Sequence, residues 1–232
     1  MSILPGKIFH PGVPPNFDQP RSWSKLGPDN RTKWPYNDQP VPGPNVSGPC
    51  NHSEPNTFYD DAHYCLTPDY NDAPAGEKRF LTDEAVTNEV IGRLNAAIDN
   101  WKETGQPFFV ALGTHKPHLP WVYPKRFYDR IPHHVAEAKH QLWPADVPAI
   151  GFHECAEMSV NYLDTDGQGT AFNTSNFAGH QAQMRRAYYG ALAYTDDLIG
   201  QALQALGDGG AANDTIVSFI GDHGWQLGEH AM

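Results

Sequence analysis

Two long stretches of the chain place apolar residues at helical spacing, and each leads into a short continuous apolar string. In the first, Val86, Val90, Ile91, Leu94, Ile98 and Trp101 recur on one face. Thr82 is placed to cap this helix, with Asp83 and Glu84 in its first turn and Gly105 and Pro107 ending it. The string PFFVALG, Pro107 to Gly113, follows and predicts a strand buried on both faces. The second stretch predicts a helix from about Gln181 to Leu206. Its buried stripe is Met184, Ala187, Tyr188, Ala191, Thr195, Leu198, Ile199, Ala202 and Leu206, with Gly207 at the C′ position. TIVSFIG, Thr215 to Gly221, then predicts a second strand. Between these stretches, from Phe127 to Gly179, the pattern is weak and reads mostly as loop.

The order helix, strand, polar motif thus occurs twice within residues 81–232. This predicts an α/β fold with a largely parallel central sheet flanked by helices. In such sheets ligands bind beyond the carboxyl ends of the strands. His115, Lys116 and His118 occupy that position after the first string, and Asp222 and His223 after the second. A third candidate is GKIFHPG, Gly6 to Gly12, which carries Lys7 and His10 and follows the apolar pair Ile3-Leu4. Strand topology is expected to bring the three segments to one sheet edge.

Residues 1–80 carry one such motif within an irregular region. Fourteen of the 21 prolines fall between Pro5 and Pro74, and QPVPGPNVSGPC can hold neither a helix nor a central strand. A loop of this length usually belongs to function or to a family insertion.

Composition narrows the partners. With 232 residues, 39% hydrophobic and 19% charged, the chain is long enough for one domain with a substantial core. A formal charge of −11 argues against a nucleic-acid partner. An anionic ligand would need a local cluster of cations. No apolar run approaches a membrane span, and MSILPGKIFH lacks the shape of a signal peptide. Asn-X-Ser/Thr sites at Asn30, Asn45, Asn51, Asn173 and Asn213 favour a secretory or lysosomal route and are candidate glycosylation sites. Cys50 and Cys65 lie close together in the irregular region. They fit either a local disulfide in an oxidising compartment or two separate thiols.

The motifs carry specific chemistry. A carboxylate oxygen and an imidazole nitrogen at Asp222-His223 can share a divalent cation if the turn at Gly224 lets them converge, although Asp-His-Gly alone equally fits a solvated turn. His115-Lys116-Pro117-His118 offers a cation for an oxyanion and a base for proton transfer. No Gly-X-Ser-X-Gly is present, and Cys155 lies in no activating motif.

GKIFHPG, GTHKPHLPW and DTIVSFIGDHGWQLGEH, in that order, resemble the sulfatases, and within them the iduronate-2-sulfatase group. PKRFYDRIP and RRAYYGALAYTDDLIGQAL extend the likeness over nearly the whole chain. Asp-His-Gly is shared across the wider alkaline-phosphatase-like superfamily, whereas HKPHLPW and DHGWQLGEH are more specific. The resemblance implies an alkaline-phosphatase-like fold and hydrolysis of sulfate esters by a formylglycine made from cysteine, with a divalent cation, normally calcium, at the sulfate. It assigns Asp222 and His223 to the metal and Lys7 to the sulfate or aldehyde hydrate. His10 becomes the base that releases sulfate, and His118 the group at the leaving oxygen. Lys116 and Trp225 become substrate-binding residues. It also favours the Cys50–Cys65 disulfide. From the residues alone the metal stays open, because calcium prefers oxygen ligands.

The resemblance has gaps. No Cys-X-Pro-Ser-Arg occurs, Cys65-Leu-Thr-Pro-Asp does not replace it, and Asp60-Asp61 follow no apolar strand. The expectation is the central part of a sulfatase catalytic domain, inactive alone, from a lysosomal or secreted enzyme acting on 2-O-sulfated uronates of glycosaminoglycans. Two other readings stand beside it. One is a phosphate or phosphonate ester hydrolase of the same superfamily. The other is a non-catalytic protein that binds sulfated glycans.

Overall fold

The computed structural model describes residues 2–3, 64–67, 81–118, 121–142, 144–148, 150 and 181–231. In chain order the main elements are β1 (Ser2–Ile3), β2 (Tyr64–Thr67), α1 (Thr82–Thr104), β3 (Phe109–Val110), β4 (Trp121–Pro124), α2 (Lys125–Arg130) and α3 (Gln181–Asp208). They fall into two compact units. One holds β1, α1, β3 and α3 from Tyr194 onward. The other holds β2, β4, α2, α3 up to Ala193, and the segment from Ile220.

In the first unit, α1 forms where the apolar spacing placed it. Val86, Val90, Leu94 and Ile98 are buried, joined by Ala97 and Thr87. Its cap differs from expectation. Leu81, not Thr82, is the N-cap, and the Glu84 carboxylate accepts the Leu81 N–H at 2.8 Å. An acid three residues into the helix satisfies a free backbone donor and favours the positive end of the dipole, so the cap hydroxyl is dispensable. Gly105 ends the helix at φ 73°, as expected.

Leu94, Ile98, Leu206 and Ala211 form the apolar cluster of this unit, with Trp101, Phe108, Val110 and Ala205 against it. The carboxyl end of α3 closes on it. The Ala211 N–H reaches the Leu206 carbonyl at 3.2 Å and the Gly210 N–H the Gly207 carbonyl at 2.8 Å. With Gly210 at φ 73°, this is a Schellman motif. Gly210 therefore takes the C′ role expected of Gly207, which stays helical.

The strands are parallel but shorter than expected. β1 pairs with β3, Ser2 with Phe109 and Ile3 with Val110. Phe109–Val110 is the strand of PFFVALG, with an isolated bridge at Gly113, and Phe109 is exposed rather than buried. TIVSFIG is not a strand. Thr215 to Ile220 carry no regular structure, and Ile216 is 95% exposed. A strand needs a neighbour for its N–H and C=O groups, and among the described residues this run has none. The described strands form two separate pairs, not one central sheet.

In the second unit, β2 runs parallel to β4, with Tyr64 opposite Trp121 and Cys65 opposite Val122. β4 is buried along its length, the pattern of a strand covered on both faces. α2 follows at once, where loop was expected from Phe127. Phe127 supplies its buried face, and Arg126 and Arg130 cover that ring. Arg186 of α3 donates to the Ile131 carbonyl through Nε (3.3 Å) and Nη2 (3.2 Å) and lies 3.9 Å over the Tyr128 ring. Gly190 lets Tyr123 approach α3, where the Tyr123 hydroxyl donates to the Ala187 carbonyl at 2.7 Å. These contacts account for the second arginine and the glycine of RRAYYG. In the part of α3 that belongs to the first unit, Tyr194 is buried although the expected stripe omitted it, while Ile199 and Ala202 are only half-buried.

Candidate functional site

β1 and β3 run side by side in the same direction. In sequence, Lys7 lies four positions beyond Ile3 and His115 five beyond Val110. Lys7 and His10 lie outside the described residues, as do Cys50, Cys155, Asn30, Asn45, Asn51 and Asn173. Asn213 is exposed in the short 3-10 turn Ala212–Asp214.

The His115-Lys116 backbone hangs on one carboxylate. Asp83, in the first turn of α1 and 2% exposed, accepts the His115 N–H on Oδ1 at 2.8 Å and the Lys116 N–H on Oδ2 at 2.9 Å. The His115 Nδ1 lies 3.3 Å from the same Oδ1. Burial pushes the Asp83 carboxyl up. The His115 hydrogen bond and the Lys116 charge more than offset this and hold it below its ordinary value. Thr114 braces the same turn by donating its hydroxyl to the Lys116 carbonyl at 3.1 Å. Sequence reasoning treated Asp83 only as a helix-start acid. Nothing in the pattern separates it from Glu84, because the bond to His115 spans 32 positions.

His118, His223 and Trp225 meet in the second unit. The His118 ring stands edge-on to both of the others, with centroids 5.8 Å away in each case. Two motifs more than a hundred residues apart thus share one place. Asp222 and His223 are exposed, at 70% and 54% of their side chains. The His223 N–H donates to Asp222 Oδ1 at 3.0 Å, and His223 Nε2 lies 3.6 Å from Asp222 Oδ2. The imidazole nitrogen and the carboxylate oxygen thus lie close to each other on an exposed turn. The described residues contain no group of three or more metal-binding side chains, so they do not make up a metal site by themselves.

The Gly228-Glu229-His230 end of the last motif is a backbone clamp. Glu229 accepts the Lys139 N–H at 3.1 Å and the His140 N–H at 3.0 Å. The His230 N–H donates to the His140 carbonyl at 2.5 Å, and the two imidazoles stack 5.6 Å apart. Gln181 accepts the Ala138 N–H at 2.9 Å and packs on Gly228, where a Cβ would come within 2.6 Å of it. Gly228 sits at φ 91°, with Leu227 just before it at 52° and His230 two positions on at 57°. Left-handed positions at non-glycine residues persist where the surroundings over-determine them. Here the clamp does so, a few residues from Trp225.

The sulfatase family profile matches residues 29–232. The chain belongs to the sulfatase family. It is 33% identical to human (Homo sapiens) iduronate 2-sulfatase and 32% identical to that of Mus musculus, in each case over 97% of this chain and 38% of the relative. It is also 33% identical to a multifunctional alkaline phosphatase superfamily protein of Trinickia caryophylli, over 55% of this chain and 25% of that protein. The chain therefore spans little more than a third of the iduronate 2-sulfatases it matches. The family carries the alkaline-phosphatase-like α/β fold that the resemblance implies; the described residues contain helices and two parallel strand pairs but no single central sheet flanked by helices.

Proposed function

We propose that this sulfatase-family chain serves hydrolysis of sulfate esters of the iduronate-2-sulfatase type, on 2-O-sulfated uronate units of glycosaminoglycans. The observation that carries the reading is the meeting of the His118 ring with His223 and Trp225 of the DHGW motif. In this reading Lys116 and Lys7 hold the sulfate, His118 protonates the leaving oxygen, His10 is the base that releases sulfate, and Trp225 lines the sugar pocket. Asp222 and His223 would help hold a divalent cation, calcium by family resemblance, whose charge would neutralise the sulfate when bound. The family's nucleophile, a formylglycine, would arise from a Cys-X-Pro-Ser-Arg motif. The 232 residues contain none, so we expect this chain alone not to turn over substrate. The sequons and the Cys50–Cys65 pair support a lysosomal or secreted setting. Among the described residues no helix is long and apolar enough to cross a membrane.

The test is binding of a 2-O-sulfated uronate disaccharide to the 232-residue chain by calorimetry. We expect saturable binding, weakened at least about tenfold by Lys116→Ala or His118→Ala, as for loss of a charged hydrogen bond. Binding indifferent to both substitutions would refute the placement of the site. Metal-dependent turnover of the sulfated disaccharide well above blank would overturn the expected inactivity. The likeness to an alkaline phosphatase superfamily protein supports a second reading, phosphate ester hydrolysis. Tighter binding of a phosphate monoester than of the matching sulfate ester would favour it.

A further inference from the structure

We propose that Asp83 is a positioning residue: its buried carboxylate sets both the backbone of His115-Lys116 and the tautomer of the His115 ring, so that the loop meets an anion already ordered. The inference rests on the sulfate-binding reading of this loop. An ionised carboxylate can only accept hydrogen bonds. Two consecutive amides occupy its two oxygens at 2.8 and 2.9 Å. The His115 Nδ1 that faces Oδ1 at 3.3 Å must then carry the proton. Neutral His115 is thereby fixed as the Nδ1–H form, and Nε2 is the nitrogen left for a ligand. A carboxylate behind an imidazole fixes ring orientation in the same way at metal and catalytic sites.

Geometry gives the anchor its stiffness. Asp83 belongs to a helix of 23 residues, and its own position is fixed by α1 rather than by the loop. The dipole of that helix favours a negative charge in the first turn. About a third of the His115 side chain remains exposed, so the ring is held from behind and open in front. The buried negative charge also stands beside Lys116 and keeps a cation at the loop favourable. A loop ordered in advance loses less freedom on binding, which raises affinity without any new contact.

The experiment uses the full 232-residue chain labelled with ¹⁵N, wild type and Asp83→Asn, with inorganic sulfate as the probe. In the wild type we expect the His115 ring in the Nδ1–H form by long-range ¹H–¹⁵N correlation, assigned with His115→Gln. Asp83→Asn puts an NH₂ group against one of the two amides. We expect amide exchange at His115 or Lys116 to speed up at least about tenfold, while the amides in the middle of α1 keep their protection. Sulfate affinity read at Lys116 should fall about fivefold. An Nε2–H tautomer for His115 in the wild type overturns the proposal even if Asp83→Asn does not fold. Unchanged exchange and unchanged sulfate affinity in a folded Asp83→Asn overturn it as well, and leave the sulfate reading standing. Altered tautomer and exchange in a chain that binds no sulfate would uphold the anchor and remove the sulfate reading.

Discussion

Gly190→Ala is a one-carbon change with a large expected effect. A Cβ at this position would stand 2.4 Å from the Tyr123 hydroxyl oxygen and 2.7 Å from the ring carbon that bears it. Tyr123 is fully buried and its hydroxyl is committed to the Ala187 carbonyl at 2.7 Å. To reach ordinary contact distance the ring must withdraw by about 1 Å, which breaks that bond. Overpacking of this kind costs about 1–3 kcal/mol. A buried hydroxyl left without its partner costs about 1–3 kcal/mol more. Replacing glycine by alanine inside a helix returns about 1 kcal/mol. The net loss is about 1–5 kcal/mol, centred near 3, and the central value corresponds to roughly 6–12 °C in midpoint for a chain of this size. Thermal unfolding followed by far-ultraviolet circular dichroism reads it. The double-mutant cycle sharpens the test: in a Tyr123→Leu background the clash is gone, and Gly190→Ala should become stabilising by up to about 1 kcal/mol. A raised midpoint for Gly190→Ala with Tyr123 present would refute the argument.

Gly228→Ala should also destabilise, by about 1–3 kcal/mol, because it meets both a left-handed backbone and the Gln181 side chain; a neutral effect on the unfolding midpoint would count against the clamp. Arg186→Lys removes a two-nitrogen grip on the Ile131 carbonyl and the cover over Tyr128, and should cost about 1–2 kcal/mol despite the kept charge; a midpoint equal to wild type would show that the grip carries no stability. Burial pushes the Tyr123 and Tyr194 phenols well above the usual 10. Both stabilise the folded state below the unfolded value near pH 10, and their contribution is lost as pH rises further. An alkaline absorbance titration should therefore show Tyr123 and Tyr194 among the tyrosines that ionise only as the chain unfolds; all ten titrating together before unfolding would contradict their burial. At the acid end, the depressed Asp83 carboxyl contributes stability above about pH 4 that is lost as pH falls through its folded value. Asp83→Asn should flatten that part of the acid stability curve, and an unchanged slope would show that the carboxylate is not held as described.

What the sequence revealed follows from range. The stripe of α1 and the glycine that stops it are set within a few residues, so spacing found them. The carboxyl end of α3 is also local, yet the expected stop came three residues early. A glycine inside a helix and one just past its end look alike until the two Schellman bonds are seen. The strands were least legible, since an apolar run says what could pair, not whether a neighbour is present: among the described residues WVYP has one and TIVSFIG has none. At the site, the motif residues were visible by type. Asp83, Gln181 and the partners of Glu229 were not, because each acts through a backbone amide far away in sequence.

The exposed run from Thr215 to Ile220 has a colloidal consequence. It is apolar, rich in β-branched residues and free of charge, the makeup of a segment prone to stack with its own kind. Asp214 stands immediately before it and Asp222 two positions after it. Copies stacked in register would line up two rows of like charge, so the acids act as gatekeepers at neutral pH. One of those gatekeepers is also a candidate cation ligand. A cation held at Asp222 would lift part of that repulsion, and light scattering against calcium would show the solubility of the chain to be tied to the chemistry of its last motif.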